Sequence, residues 1–242
     1  MANNTPTRSH SKMSNKPYFR VIGDVHAHYR KYMELANKAQ HSVQLGDMGF
    51  DYKQIESLDS KKHCFFGGNH DNYDTYYDCE HALEDFGAKM VGPILFFYVR
   101  GAYSIDWMNR IKIEQCGGGK GWWREEELSW RDMKDCLDAY TRCRPRLVIT
   151  HDCPDFLSRI IGKPYVLKNF GYNPDTFTTN TQQLLESCYR AHQPQVWIHG
   201  HFHCSYQRVE GNTLFVGLDE LGCLDITKEG EIKIGNHTRS IL

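Results

Sequence analysis

Short apolar runs and helix-periodic stretches alternate along most of the chain. Tyr18–Ile22, Ser42–Leu45, His63–Phe66, Leu95–Val99, Arg146–Thr150 and Gln195–Ile198 are apolar segments of strand length. Arg30–Gln40 carries apolar residues at helical spacing. Glu125–Tyr140 reads as an amphipathic helix with acidic residues in its first turn, where the helix dipole favours them. Asn180–His192 predicts a helix stopped by Pro194. The end of the chain reads as strands, with hairpin turns at Glu210-Gly211-Asn212 and Lys228-Glu229-Gly230. This order predicts one α/β domain with mixed sheet pairing over residues 17–242. Residues 1–16 are polar and read as a disordered tail.

Composition narrows the class. Of 242 residues, 40% are hydrophobic and 24% charged, which excludes a disordered chain, a collagen and a coiled coil. No apolar run approaches the roughly 20 residues needed to span a bilayer. The polar N-terminus lacks the apolar segment of a secretory signal. Lys and Arg total 29 against 30 Asp and Glu, so the overall charge does not indicate a nucleic-acid partner; a local basic patch stays open. The nine cysteines form no CxxC pair. Without an export signal they read as reduced thiols of a cytoplasmic protein.

Residues 100–130 break the pattern with a glycine-rich centre and several tryptophans. The run Gly117-Gly118-Gly119-Lys120-Gly121 is not a phosphate-cradling loop. That loop needs Ser or Thr after the lysine and a glycine where Glu114 stands. A flexible insertion with a hydrophobic foot and a substrate-facing lid are equally good readings.

The chemistry concentrates in five blocks, most of them just after an apolar strand. They are Gly23-Asp24-Val25-His26, Gly46-Asp47, Gly68-Asn69-His70-Asp71, Thr150-His151-Asp152 and Gly200-His201-Phe202-His203. Strand ends followed by glycine turns aim side chains into a shared crevice in open α/β sheets. Several carboxylates and imidazoles in one crevice need a neutralising partner, and divalent cations supply it. Mixed nitrogen and oxygen donors suit Mn, Fe, Zn or Ni better than Ca or Mg. Seven donors exceed what one catalytic ion with an open position takes. They fit two ions about 3.5–4 Å apart that share a carboxylate and clamp an in-line displacement at phosphorus.

This ordered set resembles the calcineurin-like metallophosphoesterase superfamily, and residues 100–130 look like those of a bacterial and phage subgroup. The resemblance implies a four-layer αββα sandwich, two mixed β-sheets flanked by helices. It implies two divalent metal ions, Mn²⁺ first. Asp24, His26 and His203 would hold one, Asp47 would bridge both, and Asn69, His151 and His201 would complete the second. A hydroxide shared by the ions would attack phosphorus. His70 would face the leaving-group oxygen, with an imidazole pKa near 6.5 suited to proton transfer. Asp71 would hydrogen-bond the ring and hold it protonated and oriented. Phosphate oxygens outside the ions need a cation, for which Arg30, Arg100 and Arg110 are candidates. His28 reads as a loop residue, His199 as pointing away from the metals, and Asp152 as a turn former.

Two departures bear on substrate. Protein serine/threonine phosphatases of this superfamily carry Asp-Arg-Gly in the second block and GNHE in the third. This chain reads Gly46-Asp47-Met48-Gly49 and ends the third block in Asp71, which weakens a protein-phosphatase reading. The expected substrate is a phosphate ester, monoester or diester, carried by a small molecule, a nucleotide or a phosphoprotein. The rival reading is a non-catalytic scaffold that uses the same fold as a binding surface. Relatives of that kind lose ligands or the histidine equivalent to His70, and none is lost here. A single-ion redox site would have a two-histidine, one-carboxylate set without further ligands.

Overall fold

The computed structural model describes residues 17–234 and 237–241. The expected tail, residues 1–16, lies outside the described residues. The elements in chain order are β1 (Phe19–Ile22), α1 (Tyr29–Asn37), β2 (His41–Gln44), β3 (His63–Phe65), β4 (Phe86–Val91), β5 (Ile94–Val99), α2 (Trp107–Gln115), α3 (Trp130–Cys143), β6 (Leu147–Thr150), α4 (Asp155–Ile161), α5 (Pro164–Asn169), α6 (Asn180–Ala191), β7 (Val196–His199), β8 (Tyr206–Glu210), β9 (Thr213–Gly217), β10 (Cys223–Ile226), β11 (Glu231–Ile234) and β12 (His237–Ser240).

They form two six-stranded mixed sheets, ordered β12-β11-β10-β1-β2-β3 and β4-β5-β6-β7-β9-β8. In the first, β1, β2 and β3 run parallel, with Phe19 opposite His41 and Ser42 opposite His63. In the second, β5, β6, β7 and β9 run parallel, with Val99 opposite Thr150 and Thr150 opposite His199. Strands alternate their faces, and that alternation builds the layers. Phe19, Val21, Val43, Phe96, Leu147, Ile149, Val196 and Ile198 fill the space between the sheets. The intervening residues Phe97, Val148 and Trp197 turn outward onto Met133, Cys136, Leu184 and Leu185 of α3 and α6. On the far side, Ile22 and Phe65 meet Tyr32 and Ala36 of α1. Each fully buried large apolar side chain contributes about 1.5–3 kcal/mol. The result is the expected α/β sandwich of two mixed sheets flanked by helices.

The hairpin turns fall where expected, between β8 and β9 and between β10 and β11. The helix expected over Glu125–Tyr140 does not begin with its acidic run. Ser129 accepts a hydrogen bond from the Asp132 amide and starts α3 one residue later. The preceding glutamates serve elsewhere. Glu126 is buried, and Glu127 Oε1 accepts from the backbone amide and hydroxyl of Thr181 at the start of α6. Buried Trp123 and Leu128 flank this segment and anchor it to the body. Pattern reading did not anticipate α2, α4 and α5, which are short. Pro154 caps α4 and Pro164 opens α5, the positions where proline costs a helix least.

Candidate active site

The parallel strands end on one edge, so the five blocks meet there. β1 delivers Asp24 and His26, β2 Asp47, β3 Asn69 and His70, β6 His151, and β7 His201 and His203. The loops are tied to one another. The Asp47 carbonyl accepts from the amides of Val25 and His26 at 3.0 and 2.7 Å, and the His151 carbonyl accepts from the Gly200 amide at 3.1 Å. Backbone strain concentrates here. Of seven non-glycine residues with positive φ among the described residues, four are His26, Asp47, His201 and His203. Such conformations cost about 1–3 kcal/mol each and persist where the surroundings impose them. A Cβ at Gly68 would collide with the Asp47 carboxylate and the His151 ring, and one at Gly200 with the Asp24 carboxylate. Only glycine lets the two loops close on those carboxylates.

Asp24, His26, Asp47 and His203 offer ligand atoms that all lie within 4.8 Å of one another. His26 Nε2 and His203 Nε2 are 2.9 Å apart, and His203 Nε2 is 3.1 Å from Asp24 Oδ2. Asp47 looks two ways. Its Oδ2 lies 3.6 Å from His26 Nε2, and its Oδ1 lies 3.3 Å from His151 Nε2. On that second side His151 Nδ1 donates to the Leu45 carbonyl at 2.8 Å, which leaves Nε2 as a lone pair. Asn69 Nδ2 donates to Ser104 Oγ at 3.0 Å and so turns Oδ1 toward the same imidazole, 3.1 Å away. The His201 ring packs 5.1 Å from that of His151, centroid to centroid. His151 Nε2, Asn69 Oδ1 and Asp47 Oδ1 therefore turn toward one another, with only the His70 amide donating to Asp47 Oδ1 from outside the set. That donor set fits a divalent cation.

The electrostatics agree with that fit. Burial, reinforced by Asp24 and Asp71, pushes the Asp47 carboxyl well above the usual carboxylate range. Burial also acts to raise Asp24, but His203, His151 and His201 together hold it below its ordinary value. Burial lowers His26, His151 and His201, which keeps their rings neutral and able to ligate, while the Asp24 hydrogen bond raises His203.

Two expectations about the third block change. Asp71 does not orient the His70 ring. Its Oδ2 accepts from the amides of Asp47 (2.8 Å) and Gly68 (2.7 Å), and its Oδ1 from the Gly49 amide and the Tyr52 hydroxyl, both at 3.2 Å. A short side chain engaged in four bonds below the loops has no oxygen left for the imidazole, and burial pushes its carboxyl up to about 6. Asp71 clasps the β2 and β3 loops together. Asp71→Ala strands three buried amides and a hydroxyl, each costing about 1–3 kcal/mol. Urea unfolding is expected to show a loss of about 3 kcal/mol or more, and a loss below about 1 kcal/mol would contradict the clasp.

His70 is not held protonated. Its Nε2 accepts from Arg110 Nη2 at 2.8 Å, and burial together with that guanidinium lowers the imidazole to about 3. Arg110 is fixed by Asp106 at 2.9 Å and by the Asn69 carbonyl at 2.9 Å, with buried Glu126 3.6 Å away. The segment 100–130 therefore places a cation beside His70 and the cluster of donors. Arg100 has another task. It is 3% exposed, paired with Asp85 at 2.6 Å and stacked on Tyr73, so it is a structural cation. Arg30 is exposed on α1 beside Glu34 and outside the crevice. His28 reaches Glu220 rather than the centre, and His199 is buried against Tyr206 and Phe202.

The crevice continues as a cavity of about 420 Å³ that begins at Asp47, Asn69, His201 and His203, passes His70 and Arg110, and ends against α4 and α5. This far wall was missed in the sequence. Its only early signal is the pair of prolines, Pro154 and Pro164, that opens the two helices.

No curated protein sequence matches the chain. Solved structures similar to it include a conserved Streptococcus pneumoniae protein described as a predicted phosphoesterase, with 11% identity, coverage of 92% of this chain and 95% of that one, and a TM-score of 0.42. Another is the phosphopantetheinyl hydrolase of Mycobacterium tuberculosis, at 12% identity, 86% and 91% coverage and a TM-score of 0.43. A third is Vacuolar Protein Sorting 29 of Cryptosporidium parvum, at 11% identity, 93% and 96% coverage and a TM-score of 0.37. The profile of the calcineurin-like phosphoesterase family matches residues 18–205, a span that runs from β1 past His203 and takes in all five blocks in order. Carrying these blocks within that matched span, the chain belongs to the calcineurin-like phosphoesterase family.

Proposed function

We propose that this protein is a phosphoric ester hydrolase that works with two divalent cations, Mn²⁺ in the first instance. One observation carries the reading: the two carboxylate oxygens of Asp47 face two separate imidazole sets, His26 at 3.6 Å and His151 at 3.3 Å. Asp24, His26 and His203 would hold one cation beside Asp47. Asn69, His151 and His201 would hold the other. When bound, such a pair supplies charge neutralisation and activates water for attack at phosphorus.

The chain's own groups do the rest. Leu45 and Ser104 fix the His151 tautomer and the Asn69 amide, so the donors point inward before any ligand arrives. Arg110 stands beside the donors, held by Asp106 and Asn69, and its Nη2, which donates to His70, is the nitrogen that can turn to a phosphate oxygen. His70 lies between Arg110 and the donors, its ring 5.1 Å from that of His26. It is placed to meet the leaving oxygen once the Arg110 contact is shared with substrate. The substrate favoured by this geometry is a small phosphate ester, because the crevice continues past the donors into a cavity of about 420 Å³ walled by α4 and α5. Nine free thiols, four of them fully or nearly buried, support a reducing, cytoplasmic setting. Among the described residues no helix is long and apolar enough to cross a membrane.

Chelation followed by metal return tests the reading. Hydrolysis of p-nitrophenyl phosphate is expected to fall to background in EDTA and to recover with Mn²⁺. Running the bis ester in parallel separates monoesterase from diesterase action. Full activity after exhaustive chelation would exclude the metal-dependent mechanism.

A further inference from the structure

The cavity is larger than a phosphoryl group requires, and its two halves differ in chemistry. The inner half holds the donors, His70 and Arg110. The outer half is lined mainly by Ile161, Val166, Leu167, Phe170, Phe177 and Tyr103, with the cations Arg159 and Lys163 beside them. Apart from Ile161, which packs against the core, these residues lie outside it. The helix α5 buries none of its six residues, and Val166, Leu167, Phe170 and Phe177 are each only half-buried. Water-facing apolar side chains are unremarkable when scattered, but here they converge on one concavity that opens onto the reaction edge. The aromatic part is braced. The Phe177 ring packs 4.7 Å from Tyr172 and 6.1 Å from Tyr103, and the two tyrosine hydroxyls are 3.1 Å apart. The neighbouring Arg159 is already committed to Asp155 and the Asp175 carbonyl, each at 3.0 Å, so it does not define the ligand.

We propose that this outer half is the subsite for the alcohol portion of the substrate, and that it selects phosphate esters whose alcohol carries a bulky apolar, ring-bearing group over those of small polar alcohols. The inference rests on the phosphoesterase reading for its orientation. With the phosphoryl group at Asp47 and Arg110, the ester oxygen points past His70 and its substituent extends onto α5. An aryl group there removes the exposed faces of Val166, Leu167 and Phe170 from water, whereas a methyl or glyceryl group leaves them wet. Binding energy gathered at this distance from phosphorus also positions the ester for reaction.

The test uses the full-length, Mn²⁺-loaded protein and two non-hydrolysable probes, benzylphosphonate and methylphosphonate, titrated by calorimetry. Benzylphosphonate is expected to bind at least ~10-fold more tightly, the discrimination that a few methylene equivalents give in an apolar pocket. In the double variant Val166→Ser, Leu167→Ser, and separately in Phe170→Ala, that ratio is expected to shrink toward one. Equal affinities in the wild type, or an unchanged ratio in both variants, would overturn the subsite. Hydrolysis of benzyl phosphate is measured beside it. A benzyl preference in binding with no turnover would remove the phosphoesterase reading while leaving the apolar subsite in place.

Discussion

Asp47→Asn is expected to lower phosphate-ester hydrolysis at least ~100-fold, since even the outer partners of metal ligands are worth 10–100-fold. The same substitution is expected to make the metal-free protein more stable, not less. In the absence of cations the Asp47 carboxyl is buried beside Asp24 and Asp71 and is pushed well above its usual range, so a neutral amide of the same shape relieves repulsion. Thermal melts therefore separate two explanations of a dead variant. If Asp47 serves the cations, Asn raises the melting temperature in EDTA and abolishes the further rise that Mn²⁺ gives the wild type. If Asp47 is a structural carboxylate, Asn lowers the melting temperature under both conditions. The Asp47 carboxylate does make one internal bond, accepting from the His70 amide through Oδ1 at 2.7 Å, and an amide oxygen at that position preserves it.

His70→Ala is expected to leave metal content unchanged and to lower turnover of alkyl phosphates by about 10²–10⁴-fold, the range of a positioned proton-transfer or charge-stabilising group. p-Nitrophenyl phosphate, whose leaving group needs little assistance, is expected to lose far less. Because Arg110 donates to His70 Nε2, Arg110→Gln is expected to reproduce part of the alkyl-phosphate loss and to raise KM as well. A wild-type rate of alkyl-phosphate hydrolysis in His70→Ala would exclude the ring from the reaction.

The edge of the site was legible because two simple regularities coincide there. Parallel strands end on the same side, and a glycine after each strand lets the next polar side chain turn inward; Gly46-Asp47 and Gly200-His201 announce both in the sequence. Residue spacing says nothing about which partner a carboxylate chooses. Asp71 follows His70 directly, yet its oxygens satisfy amides of Asp47, Gly49 and Gly68, which would otherwise be buried unpaired, while Arg110 takes the imidazole. The three candidate arginines could not be ranked from sequence either. Burial decides among them: Arg100 is locked to Asp85, Arg30 is solvated, and only Arg110 is carried by α2 to the crevice. The helices α4 and α5 escaped notice because seven- and six-residue helices hold too few turns to show a period. They form the far wall of the cavity.

Anomalous diffraction from crystals grown with Mn²⁺ addresses the central claim most directly. The account predicts two peaks, one within ligating distance of Asp24, His26 and His203, the other of Asn69, His151 and His201, with the Asp47 carboxylate between them. A single peak that leaves His151 and Asn69 bare, or no peak at saturating Mn²⁺, would contradict it.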